Sequence, residues 1–248
     1  MNLTKLLEVK NLSKSYYSIK GQIDVLNKIS FDLYEKDFLG IVGPSGCGKS
    51  SILNIISSLD KEYNGKIILK ENTKIGYMFQ EDALFPWLSI YDNAILGLKI
   101  SKTLTKENEQ YVNNLLKKYG LYDFKDKYPG ELSGGMKQRV ALIRTLSTKP
   151  DILLLDEPFS ALDYQTRLNV SEDVYKIIKE ENKTIIIVTH DISEAISMCN
   201  KIIVLSKIPS KIKNIYNIEL DNNSSPIKNR HDKNFSFYYD QIWKDIDK

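Results

Sequence analysis

Short apolar runs recur along the chain and predict the buried strands of a parallel sheet. The runs at Phe38–Val42, Ile152–Leu155 and Thr184–Thr189 contain no charged residue, as expected of strands that are covered on both faces. Apolar residues at helical spacing lie between them, and they predict helices over Lys49–Leu59 and about 163–181. The alternation predicts an α/β core with a mainly parallel sheet.

Strands of a different kind are predicted before residue 80. Residues 6–12 and 23–33 alternate apolar and polar positions, so we expect an antiparallel pair there. Two shorter strands are expected near 66–70 and 74–79, after the turn at Asn64-Gly65.

Residues 89–147 are predicted to be mostly helical. Thr105 is a suitable N-cap for one helix, and Gly120 ends it. Ser133 is the predicted N-cap of another helix, which runs to about Ser147.

The chain after residue 206 is more polar than the rest. The run Asn222–Ser225 predicts a loop, and a helix is expected from about Asn234 to Ile246. We therefore expect a domain over 1–206, followed by a C-terminal extension over 207–248.

Composition is that of a soluble globular protein. The chain has 248 residues, 42% hydrophobic and 27% charged, with a net charge of +3, which favours neither nucleic acid nor anionic lipid. No apolar run approaches the roughly 20 residues that cross a bilayer, so a transport function would need a separate membrane partner. Cys47 and Cys199 are expected to be free thiols in a reducing cytoplasm.

The first motif with chemical meaning is Gly43–Ser50, which has the full eight-position pattern of a phosphate-binding loop. Its glycines let backbone N–H groups point at phosphate oxygens, and the next helix adds its positive end. In this pattern Lys49 bridges the β- and γ-phosphates, and the Ser50 hydroxyl ligates Mg²⁺. The residues expected to bind nucleotide here are Gly43, Pro44, Ser45, Gly46, Cys47, Gly48, Lys49, Ser50 and Ser51.

An acidic pair, Asp156-Glu157, follows the apolar run at 152–155. Carboxylates at the carboxyl end of a parallel strand point into the ligand crevice. We expect Asp156 to hold Mg²⁺, directly or through water, and Glu157 to polarise the water that attacks the γ-phosphate. The alternative is an acidic pair that only solvates the end of the strand.

A third segment, Leu132–Gln138, has the sequence LSGGMKQ. Gly134 and Gly135 leave backbone amides uncovered at the start of a helix, which makes a second anion site. One nucleotide cannot occupy two distant helix N-termini of the same subunit.

These three motifs, in this order, resemble those of the ATP-binding subunit of an ABC transporter, and the similarity covers about residues 6–206. The resemblance implies a two-lobed P-loop NTPase domain. A RecA-like core with an antiparallel β edge would surround a helical insert at about 88–147. It also implies hydrolysis of Mg-ATP as the reaction.

The resemblance assigns roles to several single residues. Gln80 would contact Mg²⁺ and the attacking water, and His190 would reach the γ-phosphate. Tyr16 falls where the family places an aromatic side chain that stacks on adenine, with Tyr17 as the alternative. The residues implied at the nucleotide-bearing interface between two subunits are Ser133, Gly134, Gly135, Gln138 and Asp163.

The partners implied by the resemblance are a second copy, in a head-to-tail ATP-dependent dimer, and an integral membrane permease. The protein would lie on the cytoplasmic face of the membrane and serve a solute-binding protein indirectly, and no nucleic acid is expected to bind. Phe79–Ser89, followed by Asp92-Asn93, resembles the nitrate, sulfonate and taurine importer branch, which implies a small solute such as a sulfonate or nitrate. Its apolar part, Leu84–Leu88, is interpreted as a groove for the permease or as part of the domain's own core.

Two other functions stay open at this point. A soluble ABC ATPase could act on nucleic acid or ribosomes, although such proteins usually carry coiled-coil insertions or two fused nucleotide domains, and the chain shows neither heptads nor an internal repeat. An exporter ATPase would use the same chemistry in the opposite direction.

Overall fold

Two β-sheets organise the part of the chain that the computed structural model describes, residues 4–19, 21–80, 83–220 and 225–247. The smaller sheet is antiparallel, with β1 (Lys5–Ser18) between β2 (Gly21–Tyr34) and β4 (Asn64–Leu69). The predicted antiparallel pair is thus confirmed, and both of its strands extend beyond the predicted bounds.

The larger sheet is mainly parallel and contains the predicted apolar runs. Its strands are β3 (Phe38–Val42), β5 (Ile75–Met78), β6 (Ile152–Asp156), β7 (Thr184–Val188), β8 (Lys201–Leu205) and β9 (Ile212–Asn217). Their order is β5-β6-β7-β3-β8-β9, and only β9 runs antiparallel to its neighbour. Every residue of β6 and β7 is buried, because both faces of the sheet are covered, one of them by helix α1 and the antiparallel sheet together.

The helices fall between the strands in the predicted α/β pattern. They are α1 (Lys49–Ile56), α2 (Ile90–Ile100), α3 (Lys106–Lys118), α4 (Gly134–Ser147), α5 (Tyr164–Glu180), α6 (Ile192–Met198), α7 (Pro226–Asn229) and α8 (Phe235–Asp247). The prediction that α1 reaches Leu59 is wrong. The helix ends at Ile56 because Ser58 adopts a left-handed φ of 62°. No helix in the described ranges has the length and apolarity needed to cross a membrane.

Helices α2, α3 and α4 form the helical region between β5 and β6, as predicted. Each begins at a side-chain cap that satisfies a backbone N–H of its first turn. Ser89 accepts from Asp92, Thr105 from Asn108, and Ser133 from Met136. The caps on Thr105 and Ser133 confirm the predicted helix starts.

The C-terminal part begins as a strand of the core sheet, because β9 pairs with β8. Helix α8, close to the predicted helix at 234–246, is tied to β9 by the Tyr216 hydroxyl, which donates to Asp245 Oδ2 at 2.6 Å. Residues 222–224 of the predicted loop lie outside the described residues, and the boundary at 206 stays a prediction.

Candidate nucleotide-binding and hydrolysis site

The phosphate loop connects the end of β3 to the start of α1, as its sequence predicts. Gly48, the residue before α1, adopts a φ of 93°, and a Cβ there would lie 2.5 Å from Val25 Cγ1. Only glycine combines that backbone conformation with that clearance. No side chain caps α1, so its first backbone N–H groups are available to phosphate oxygens.

Lys49 is held against this loop. Its side chain is almost fully buried, and Nζ donates to the carbonyl oxygens of Gly43, at 3.0 Å, and Pro44, at 3.1 Å. A buried ammonium group at the start of a helix presents a fixed positive charge to an anion in the loop. The loop, Lys49 and Glu157 line one cleft of about 330 Å³.

Asp156, the last residue of β6, lies beside the start of α1. Its Oδ1 accepts from the Ser50 hydroxyl at 2.9 Å, and its Oδ2 accepts from the Tyr77 hydroxyl at 3.0 Å. Burial raises the pKa of Asp156 above its usual range, while the two hydrogen bonds act in the opposite direction. A hydroxyl and a carboxylate side by side are the hard oxygen ligands that Mg²⁺ prefers, so this donor set fits the predicted metal.

Glu157 and His190 form a hydrogen-bonded pair, with 2.9 Å between Glu157 Oε2 and His190 Nδ1. The pair forms because Glu157 follows β6, His190 follows the neighbouring β7, and the Glu157 backbone N–H donates to Val188 O. Glu157 adopts a left-handed φ of 43°, a conformation that is uncommon for residues other than glycine. The structure therefore brings together the predicted water-activating carboxylate and the histidine that is predicted to reach the γ-phosphate.

Gln80 follows β5 and reaches the loop after Glu157. Its Nε2 lies 3.4 Å from Ser160 Oγ, and that hydroxyl donates to Glu157 O. The next residues, Glu81 and Asp82, lie outside the described residues.

Tyr16 lies in the cleft with the phosphate loop, and its hydroxyl is 3.0 Å from Ser51 Oγ. The Lys14 ammonium lies 4.8 Å from the centroid of the Tyr16 ring. Tyr17 is 80% exposed and does not line this cleft. Of the two tyrosines left open by the sequence, Tyr16 has the geometry for stacking on a base.

The LSGG segment does not line this cleft. Gly134 packs closely on the loop after Glu157, since a Cβ there would lie 2.9 Å from Leu162 Cδ2. Gly135 packs closely on α5, since its Cβ would lie 2.7 Å from Val170 Cγ2. The Gln138 side chain is buried, and its Oε1 has no hydrogen-bond partner among the described residues.

Asp163 caps α5, with its Oδ1 accepting from the Thr166 backbone N–H at 3.0 Å. Hydrogen bonds from Thr166 hold the pKa of this carboxyl below its usual range. Asp163 is therefore an anion at the start of α5, where the helix dipole favours it.

Two contacts at the site were not predicted from the sequence. One is the hydrogen bond of Tyr77 to Asp156, which follows only once β5 is known to pair with β6. The other is Ser210, a fully buried residue whose hydroxyl donates to Cys47 O in the phosphate loop.

A sequence model of the ABC transporter family matches residues 26–160. The chain belongs to the ABC transporter family. It is 43% identical to the uncharacterized ABC transporter ATP-binding protein YtlC of Bacillus subtilis, over 97% of this chain and 95% of that protein. It is 38% identical to the aliphatic sulfonates import ATP-binding protein SsuB of Bacillus anthracis, over 92% of this chain and 91% of that protein.

A solved structure of an ATP-binding cassette has a similar fold. The dimeric ATP-binding cassette MJ0796, in a post-hydrolysis state bound to ADP and Pi, matches with a TM-score of 0.72 and 32% identity, over 86% of this chain and 99% of that chain. The predicted ABC cassette fold and ATPase activity are confirmed, and the chain is the ATP-hydrolysing subunit of a transporter. Its similarity to SsuB agrees with the predicted importer branch.

Proposed function

We propose that this ABC ATPase powers the import of a small anion, such as a sulfonate, with Glu157 as the residue that activates the attacking water. The pair formed by Glu157 and His190, 2.9 Å apart beside the phosphate loop, is the observation that carries the catalytic part of this proposal. A carboxylate at the edge of a nucleotide cleft can accept a proton from water as the γ-phosphate bond breaks.

Each group in or beside the cleft has a part in hydrolysis. Lys49 and the N–H groups of the loop bind the phosphates, and Ser50 and Asp156 would hold Mg²⁺. When bound, Mg²⁺ would offset the negative charge that builds up on the phosphate oxygens. Glu157 orients the water and takes its proton. His190 holds the Glu157 carboxylate in place and contacts the γ-phosphate, and Gln80 contacts the same water.

A second copy of the chain would complete the site. The N-terminus of α4 begins with two glycines and does not line the cleft of its own subunit. In a head-to-tail dimer, Ser133, Gly134 and Gly135 would close on the nucleotide held by the partner's phosphate loop. Asp163 would contact that loop from the same side. The dimeric state of the similar MJ0796 cassette supports this arrangement.

An apolar groove of about 390 Å³ beside β5 and α2 is the proposed contact with a membrane permease. Phe79, Phe85, Leu96 and Ile100 are among the residues that line it. Trp87, in the loop before α2, is 69% exposed, whereas Leu84 of the same loop is buried. The loop therefore divides between the two predicted alternatives, with Leu84 in the domain's own core and Phe85 in the groove. A groove with exposed aromatic walls fits an amphipathic helix of a partner.

The class of solute follows from similarity alone. The name of the SsuB protein refers to import of aliphatic sulfonates, and a sulfonate is the first solute to test, with nitrate as the second. In this proposal the ATPase lies at the cytoplasmic face of the membrane, attached through its permease.

Replacement of Glu157 by glutamine tests the catalytic part of the proposal. The Glu157→Gln variant should bind ATP and dimerise, because glutamine keeps the shape of the side chain. Its ATPase rate should fall by about 10²–10⁴, the usual effect of losing a general base. Glu107→Gln, which changes an exposed glutamate paired with Lys149, is the matched control. Turnover by Glu157→Gln at the wild-type rate would exclude Glu157 from this role.

Co-purification tests the transport part. The tagged chain, isolated from gently solubilised membranes of its host, should retain a multispanning permease. Recovery with ribosomes or nucleic acid instead would leave the ATPase in place and refute the transport partner.

A further inference from the structure

Tyr77 lies beside Asp156, and its side chain has no role in the proposed chemistry. Its hydroxyl lies 3.0 Å from Asp156 Oδ2 and 3.1 Å from Asn54 Oδ1. It therefore contacts both the strand that ends in Asp156 and the helix that begins with Lys49 and Ser50.

The two oxygens of Asp156 have different neighbours. Oδ1 faces the Ser50 hydroxyl, and Oδ2 faces the Tyr77 hydroxyl. A carboxylate held at both oxygens has a fixed plane. If the Ser50 hydroxyl turns to a metal ion, the hydrogen bond from Tyr77 still fixes Oδ2 and leaves Oδ1 on the side of Ser50.

The donor in this contact is defined by chemistry. An ionised carboxylate can only accept, so the single phenol hydrogen is best used by Asp156, in a charge-assisted bond. The Asn54 amide can then donate its N–H to the phenol oxygen, since the oxygen and nitrogen of an amide exchange places by rotation. With the amide in that orientation, the donors form a chain from Asn54 through Tyr77 to Asp156.

The ring of Tyr77 is held in position independently of its hydroxyl. Residue 77 is paired with Leu154 in the parallel ladder between β5 and β6. The ring packs on Phe79 with centroids 4.5 Å apart, and both rings line the apolar groove. A hydroxyl on a ring that is positioned by packing is a pre-organised donor.

We propose that Tyr77 is a positioning residue that orients Asp156 for the metal of Mg-ATP. The proposal rests on the function inferred above for Asp156 as the metal-binding carboxylate. Hydrogen-bond partners of metal ligands usually change metal affinity by roughly 10–100-fold when they are removed.

The test is the affinity for Mn²⁺ of the complex with the non-hydrolysable nucleotide AMP-PNP, measured by EPR. Tyr77→Phe keeps the ring and removes the hydroxyl, and it should weaken Mn²⁺ binding by roughly 10-fold or more. Its affinity for AMP-PNP without metal should stay at the wild-type value, because the loop and Lys49 are untouched.

Tyr111→Phe is the matched control, since the Tyr111 hydroxyl also donates to a carboxylate, Glu181, at 2.9 Å, but lies away from the cleft. A purely structural effect would lower the stability of both variants towards urea and leave Mn²⁺ affinity unchanged in both. Wild-type Mn²⁺ affinity in Tyr77→Phe would overturn the inference, and so would an equal loss of AMP-PNP binding without metal.

Asp156→Asn separates this inference from the function on which it rests. If Asp156→Asn weakens Mn²⁺ binding and Tyr77→Phe does not, the metal site stands and the role of Tyr77 is refuted. If Asp156→Asn binds Mn²⁺ like the wild type, the metal site itself is wrong and the role of Tyr77 is refuted with it.

Discussion

Replacement of Glu194 by glutamine should change how the stability of this ATPase depends on pH. Glu194 lies in α6, four residues after His190, and is only 3% exposed. Its Oε1 has no hydrogen-bond partner among the described residues. Burial, with Asp191 nearby, raises the pKa of Glu194 to about 8, although Arg167, Thr189 and Arg230 act in the opposite direction.

The direction of the pH dependence follows from the pKa of Glu194 in the unfolded and in the folded chain. The unfolded chain releases this proton near the ordinary glutamate value of 4.5, whereas the folded chain keeps it up to about pH 8. The folded state therefore binds more protons between these values, and the free energy of unfolding falls as the pH rises through this window. This difference in pKa, from 4.5 to about 8, corresponds to at most about 5 kcal/mol in the free energy of unfolding. Glutamine resembles the protonated side chain and has no such dependence.

The assay is urea unfolding of the wild type and Glu194→Gln without nucleotide, at pH 5 and pH 8. The two proteins should be similar at pH 5, and the variant should be the more stable at pH 8. The control is Glu107→Gln, at a side chain that is 86% exposed, which should follow the wild type at both values. The reasoning would be refuted if the wild type and Glu194→Gln changed in stability by the same amount between pH 5 and pH 8. A variant less stable at pH 8 would also refute it, because the arginines would then stabilise an ionised Glu194.

Two further substitutions test the nucleotide cleft. Tyr16→Ala should weaken ATP binding by about 10-fold, since stacking of a base on an aromatic ring contributes roughly 1–3 kcal/mol. Tyr17→Ala should leave ATP binding unchanged. Calorimetry with AMP-PNP measures both affinities, and a larger loss in Tyr17→Ala would assign the stacking role to Tyr17 instead. Gly48→Ala should abolish nucleotide binding and lower the melting temperature, because its Cβ would lie 2.5 Å from Val25 at a φ of 93°. Gly130→Ala is its control, as a Cβ there meets nothing within 4 Å, and similar binding by both variants would argue against the tight loop.

The fold was predictable where a local pattern has one physical outcome. The charge-free runs at 38–42, 152–155 and 184–189 contain β3, β6 and β7, because short apolar runs are typical of strands that are buried on both faces of a sheet. Strand β9 was not predicted, since only two of its six residues are even partly buried and its sequence contains Lys213 and two asparagines. Its formation depends on the unpaired edge of β8, which is a property of the assembled sheet and not of residues 212–217.

The candidate site shows the same division between local and non-local information. The phosphate loop and Asp156 could be assigned because each motif contains its own chemistry within a few residues. The hydrogen bond from Tyr77 to Asp156 depends on the order β5-β6, and the burial of Glu194 depends on the helices that cover α6. A pattern of apolar residues would place a glutamate at the surface. Since the LSGG segment stays outside the cleft of its own subunit, the motif that best marks the family acts, in the proposed mechanism, on a nucleotide bound by another copy of the chain.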